Sequence, residues 1–295
     1  MTYFQILFSV IAFTSNGFAV RLFQTRFKDP EKRLPLFQSL YCLISTICFW
    51  GMGRFALPTL QTFLYGLVFG ILFCTASAMS AKAMSIGSMA LSSVIMNMGL
   101  LIPILYSVIF LHEELTLLHL VGFILFCVSV TFSAFNGKES KKANLLWLVV
   151  VFIGLISNGL TATIQKIYIM TSQEVQDSVF LGVAYATASF CFIIKHFISK
   201  RGHTGDLPKR KTTLMSASTF LAVALIAGVG SFIGNLLLGK LSIKVIAAIL
   251  YPCINGGLAA MTTLVSFFIF KEKPTLKKIL SIIFGCAAII ILNLG

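Results

Sequence analysis

Hydrophobic positions run almost without interruption along this chain, and polar ones gather in short clusters between the runs. The carboxylates (Asp29, Glu31, Glu113, Glu114, Glu139, Glu174, Asp177, Asp206 and Glu272) all fall in those clusters, beside turn residues or other charges. Between the clusters lie ten apolar segments, at about 2–24, 34–53, 56–81, 84–111, 116–136, 144–166, 178–197, 213–239, 244–270 and 276–293. A segment of roughly 20 residues crosses a ~30 Å hydrocarbon layer as a helix. Backbone groups in lipid must find hydrogen bonds within the chain, so runs of this length are predicted to be helices rather than open strands. The expected fold class is therefore all-α integral membrane, with ten transmembrane helices. The first segment has no basic leader and no small-residue cleavage site, and it reads as a retained span.

Composition agrees with that picture. The chain of 295 residues is 58% hydrophobic and 11% charged, with a mean hydropathy of +0.96. A water-soluble domain carries roughly 25% charged residues, so an ordinary cytosolic enzyme and a secreted disulfide scaffold are both excluded. A net charge of +14 would suggest nucleic acid in a soluble protein; here its placement matters more, and no nucleic-acid partner is expected. About eighteen of the 23 Lys/Arg lie in the connections after odd-numbered spans, among them Arg26, Lys28, Lys32, Arg33, Lys141, Lys142, Arg201, Lys209, Arg210 and Lys211. The opposite side has about four: Arg54, Lys166, Lys240 and Lys244. Positive-inside reasoning places both termini outside the cytoplasm. No Asn-x-Ser/Thr sequon occurs, and a bacterial cytoplasmic membrane is the expected location.

The seven cysteines (42, 48, 74, 127, 191, 253, 286) are scattered through the spans with no Cys-x-x-Cys pair, and read as small packing residues. The histidines at 112, 119, 196 and 203 show no ligand spacing, so neither a metal nor a cofactor is expected. With no Ser–His or Asp–Asp set at depth, the chain does not read as an intramembrane enzyme.

The two halves resemble each other. Span 1 contains Ile11-Ala12-Phe13-Thr14-Ser15-Asn16-Gly17 and span 6 contains Ile153-Gly154-Leu155-Ile156-Ser157-Asn158-Gly159. Span 4 leaves the membrane as Glu113-Glu114-Leu115-Thr116, and span 9 as Glu272-Lys273-Pro274-Thr275. In that register Leu105, Ser107 and Cys127 fall on Leu264, Ser266 and Cys286. Two anchors in the same order argue for duplication of a five-helix unit, 1–137 and 144–295, within one compact membrane domain. Five is odd, so the second copy enters the bilayer from the opposite side, giving two inverted five-helix repeats. That pseudosymmetry suits carriers, because it supplies two near-equivalent packings, open to either side.

These features resemble the drug/metabolite transporter superfamily, in its ten-helix EamA-like branch. The two Glu-x-x-Thr exits carry the resemblance, with the stretch from Tyr251 and Pro252 to Asn255, Gly256 and Gly257 and the final span ending at Ala288–Asn293. The resemblance covers nearly the whole chain. It implies a central cavity lined by spans 1, 3, 4, 6, 8 and 9, with spans 5 and 10 at the periphery, and transport by alternating access without ATP. It also implies cytoplasmic termini, the reverse of what the loop charges indicate.

Polar side chains inside lipid tend to face a bundle interior. Gly154, Asn158, Thr161 and Gln165 form one stripe at helical spacing, and Tyr251, Asn255, Thr262 and Ser266 another. Span 4 adds Ser93, Asn97 and Tyr106, and span 8 adds Ser231 and Asn235. The candidate substrate contacts are thus Asn16, Asn97, Tyr106, Asn158, Gln165, Asn235, Tyr251 and Asn255, against the competing reading that such groups tie helices together. Arg21 and Lys82 are candidate anion or gate contacts, against interfacial anchoring. Pro103 and Pro252 remove backbone hydrogen bonds in spans 4 and 9, and Gly66/Gly70 and Gly230/Gly234 read as close helix contacts. No carboxylate lies within a span, which disfavours proton-coupled export of organic cations. The expected function is a secondary active or facilitative transporter of a small polar metabolite, an amino acid or related compound. The alternative is an exporter of organic cations or drugs through an aromatic cavity. A monomer or homodimer in the lipid bilayer is expected.

Overall fold

The computed structural model describes residues 2–26, 30–87, 92, 95–134, 145–172, 174–201, 217–269 and 276–294. Among these residues there is no strand, and ten α-helices follow one another: α1 Thr2–Arg26, α2 Pro30–Met52, α3 Leu60–Ile86, α4 Leu101–Phe110, α5 Leu117–Ala134, α6 Leu145–Thr171, α7 Glu174–Arg201, α8 Ala217–Ser242, α9 Ala247–Phe268 and α10 Leu276–Leu294. Six of them, α1, α2, α3, α6, α7 and α8, are long and apolar enough to cross a membrane. The rest include shorter apolar stretches such as Leu117–Phe132 and Ala247–Thr262. Large apolar side chains lie exposed in stripes: on α6, Val149, Phe152, Ile153, Ile156 and Leu160 recur every three or four residues. A surface of that kind is stable only against hydrocarbon, so this is a membrane-embedded helical protein.

The spacing predicts one span over 84–111, and in the structure residues 95–110 are helical but tighten part-way along. A 3₁₀ turn, Met98–Leu100, precedes α4. Pro103 has no N–H for the carbonyl of Gly99 four residues earlier, and the turn tightens upstream, where Leu101 N–H reaches Met98 and Gly99 instead. Pro252, by contrast, lies inside a continuous α9. Ser93, Glu272, Thr275 and the basic run 202–211 lie outside the described residues.

The chain divides into two compact units. The first comprises Met1–Val10, Thr75–Thr171 and Leu237–Gly295, and the second Ile11–Cys74 and Ser172–Leu236, so each draws on both halves of the sequence. In the first unit α5 packs on α10 and α9 on both, while α4 packs on α6 and on α9. Helices α5 and α10 run antiparallel: Gly122 abuts Leu292, and Ser129 abuts Gly285. Leu100, Ile104, Phe126, Val130, Ala247, Ala248, Tyr251 and Ala288 form a core there, and Ala83, Met96, Trp147, Val150 and Val151 another. In the second unit the antiparallel pair is α2 and α7, with Gly53 against Val179 and Ser39 hydrogen-bonded to Ser189 at 3.0 Å. Its interior is aromatic: Phe23 stacks on Phe37, Phe49 on Tyr185, and Phe69 meets Phe180 edge-on.

Glycines set the closest approaches. Gly66 and Gly70 meet Val183, Ala184 and Thr187 of α7, whereas Gly230 and Gly234 meet Ala12, Ser15 and Phe13 of α1. The glycine pairs therefore act as helix contacts, as their spacing predicts.

Candidate functional site

The sequence-derived candidates fall into two sets, one in each unit. In the first unit the polar centre is built around Glu113. Past the end of α4, His112 adopts a left-handed φ of 53°, and the N–H groups of Leu111 and Glu113 both reach back to the Ser107 carbonyl, at 3.1 and 3.2 Å. This turn places the Glu113 carboxylate on the start of α9. Ile246, the residue preceding that helix, offers no side-chain cap, and Glu113 Oε2 accepts the Ala247 N–H at 2.8 Å in its place. Negative charge is favoured there because the first N–H groups of a helix lack intrahelical partners. The other oxygen, Oε1, accepts from Lys166 Nζ of α6. Lys166 is 1% exposed and Glu113 17%.

Thr116, the second member of the motif, caps α5. Its hydroxyl accepts the His119 N–H at 3.3 Å, and its own N–H donates to His119 Nδ1 at 3.0 Å, a reciprocal box with histidine in the usual place of Glu or Gln. Because Nδ1 accepts, the ring proton lies on Nε2, which is buried with no partner among the described residues, as is Ser107 Oγ. The Glu113-x-x-Thr116 exit is thus a pair of helix caps, one for the next helix and one for a distant one. Neither Lys166 nor Glu113 stands among the sequence-derived candidates. Lys166, counted with the loop cations, is instead a buried partner of a carboxylate.

Asn158 occupies the middle of α6, one turn from Gly154, which is buried against Met96 and Met79. Its Nδ2 donates to the Met96 carbonyl at 3.4 Å, and its side chain is exposed. At 100° per residue it points opposite the exposed apolar stripe of Val149, Phe152, Ile153, Ile156 and Leu160. On that inner face Val151, Gly154 and Gln165 are buried and Thr161 is half-buried. Asn158 therefore opens on an accessible space away from the lipid-facing stripe. Thr161, on the same stripe, bonds its own helix at Ser157 O, 2.7 Å.

Tyr251 is buried, with its hydroxyl 3.4 Å from the Ala162 carbonyl. Asn255, half-buried, donates to the Tyr251 carbonyl in its own helix at 2.9 Å. Asn97 precedes the 3₁₀ turn without capping it. Tyr106 stacks on Phe110 with ring centroids 5.0 Å apart. Lys82 is exposed.

The second unit has Asn16, Arg21 and Asn235. Asn16 Nδ2 donates to the Ala227 carbonyl of α8 at 2.9 Å, which ties α1 to α8 where Gly230 lets them approach. Arg21 is half-buried. Asn235 Nδ2 donates to the Tyr185 hydroxyl at 2.7 Å and to the Ser231 carbonyl at 3.0 Å. Since the Tyr185 oxygen accepts from Asn235, its own proton points to Ser231 Oγ, 2.7 Å away. This buried chain spans α7 and α8. Tyr185 is absent from the sequence-derived candidates, although Ser178, Ser189 and His196 share its buried face of α7 at helical spacing, a polar stripe that could have marked it. Among the described residues no group of His, Cys, Asp and Glu is arranged to hold a metal ion.

No family model matches the chain, and no curated protein matches its sequence. Its fold does recur among solved structures. One, described only as a crystal structure of a protein, superposes with a TM-score of 0.69 over 99% of this chain and 96% of that chain, at 10% identity. That likeness shows a shared fold and says nothing of activity.

Proposed function

We propose that the chain is a transporter of the EamA-like kind in a bacterial cytoplasmic membrane, moving a small polar metabolite, an amino acid or related compound, by alternating access between two inverted five-helix repeats. The observation that carries this reading is which helices pair, and in what direction. The pairs α2 with α7, α5 with α10 and α4 with α9 are counterparts under the duplication seen in the sequence. The first two run antiparallel. Counterparts related by an axis along the membrane normal would run parallel; an axis in the membrane plane turns one over. On this reading the four shorter helices also span, making ten.

Asn158 is the assigned solute contact. An amide exposed at mid-helix is costly in hydrocarbon and stable beside water, and it lies opposite the lipid-facing stripe. The aromatic-cavity alternative has less support, because the large rings of the second unit (Phe23, Phe37, Phe49, Phe69, Phe180 and Phe192) are buried.

The test is substrate-accelerated counterflow in proteoliposomes with a panel of metabolites, with and without a pH gradient. A saturable exchange is expected. Asn158→Leu is expected to lower it on the order of tenfold, the worth of one hydrogen bond to bound solute, with a stability loss no larger than about 0.5–1.5 kcal/mol from the lost bond to the Met96 carbonyl. Asn16→Leu, which removes the tie to Ala227, is expected to lower thermal stability by about 0.5–1.5 kcal/mol. Flux that does not saturate would mark a channel, and normal exchange in Asn158→Leu would remove that residue from the solute path.

A further inference from the structure

The seven cysteines are spread singly through the apolar helices, yet two of them meet. In the second unit α3 and α7 run side by side in the same direction, Gly66 against Val183 and Gly70 against Thr187. Phe69 meets Phe180 at 5.6 Å and Phe73 meets Phe192 at 6.3 Å along the same seam. The glycine contacts advance by four residues on each helix, so the next rung pairs Cys74 with Cys191. The two thiols are within hydrogen-bonding reach there, and the Lys195 ammonium is within electrostatic reach of Cys74. Lys195 also lies one helical turn beyond Cys191 on the same face of α7. Glycine rungs bring the two backbones close, and a disulfide needs that short Cα separation. Both thiols are free; Cys74 is buried and Cys191 half-buried. Around Cys191 the surface is apolar, with Phe190, Ile194 and Phe197 exposed.

We propose that Cys74 and Cys191 form a redox-modification site for hydrophobic hydroperoxides, closing to a disulfide between α3 and α7. Cys191, the thiol that reaches the apolar surface, is oxidised first. Its thiolate attacks the terminal oxygen of the hydroperoxide; the O–O bond breaks, the alkoxide leaves and takes up the thiol proton as an alcohol, and Cys191 becomes a sulfenic acid. The Cys74 thiolate then attacks the Cys191 sulfur and expels hydroxide, which leaves as water with the Cys74 proton. In sum the two thiols lose two electrons and two protons, while one hydroperoxide becomes one alcohol and one water. The sulfenic-acid route is the ordinary path from thiol to disulfide. Cys42 of α2 also lies within electrostatic reach of Cys74, but it is wholly buried and out of an oxidant's reach, which makes it an internal control.

The experiment treats the full chain in lipid vesicles with cumene hydroperoxide, then unfolds it and counts the thiols that a maleimide can alkylate. The count is expected to fall by two from seven, to recover with dithiothreitol, and to leave a linked peptide pair containing residues 74 and 191. Cys74→Ser is expected to stop the bridge and to leave at Cys191 a sulfenic acid that dimedone traps. The wild-type peptide map carries the test even if that variant does not fold. All seven thiols remaining free after treatment, or a bridge that contains Cys42, would overturn the proposal.

Discussion

Glu113→Ala is expected to destabilise the protein by about 3–5 kcal/mol, because it strands the Lys166 ammonium in an interior where it is 1% exposed. Lys166→Met is expected to be milder, about 1–2 kcal/mol. It leaves a carboxylate that is partly exposed and still accepts the Ala247 N–H at 2.8 Å. The double variant Glu113→Ala/Lys166→Met removes both charges, and only the cap on α9 is then missing, worth about 1 kcal/mol. It should therefore be more stable than Glu113→Ala alone. Denaturant or thermal unfolding in detergent for the four proteins gives the coupling directly. Additive effects, or a Lys166 variant worse than the Glu113 variant, would show that the pair is not the buried, mutually dependent contact its geometry describes. Raising salt should change the coupling little, since screening acts on exposed pairs.

The helices were legible in the sequence because lipid leaves the backbone one solution, and each apolar run between charge clusters became one, save 84–111, where a 3₁₀ turn precedes α4. Their ends were not. Span 7 is predicted over 178–197, and α7 covers Glu174–Arg201, since helical hydrogen bonding continues past the apolar edge into the polar flanks. The 3₁₀ turn before α4 needed more than a proline in view: upstream of Pro103 the hydrogen bonding tightens at Met98–Leu100, whereas Pro252 leaves α9 continuous. The glycine contacts were readable as small residues one turn apart, a purely local pattern. The ion pair was not. A lone Lys166 near the end of an apolar run looks like an interfacial anchor, and its partner is 53 residues away in a loop. The same reasoning separates the candidates. Asn16 and Asn158 occupy matching places in a repeated tripeptide, yet one amide ties α1 to α8 and the other opens to accessible space. Only the packing of other helices around them makes that difference, and no spacing along the chain encodes it.

Gly70→Ala is expected to lose about 1–3 kcal/mol, although alanine is the better helix former by about 1 kcal/mol. A Cβ at position 70 would strike the Ala184 carbonyl and come within 2.6 Å of Thr187 Cβ, and a backbone oxygen cannot swing aside as a side chain can. The whole of α3 would have to retreat from α7. Gly17→Ala serves as the opposite case: nothing lies within 4 Å of a Cβ there, so the helical preference acts alone and stability should stay level or rise by up to about 1 kcal/mol. The two substitutions are chemically identical and both fall within apolar helices, so unfolding midpoints measured side by side isolate the close approach. Gly70→Ala has a second consequence. Separating α3 from α7 lengthens the rung one turn further on, and the Cys74–Cys191 bridge should form more slowly under the same hydroperoxide treatment, while Gly17→Ala leaves its rate unchanged. Equal stability of the two variants would mean that α3 and α7 are not held together at Gly70.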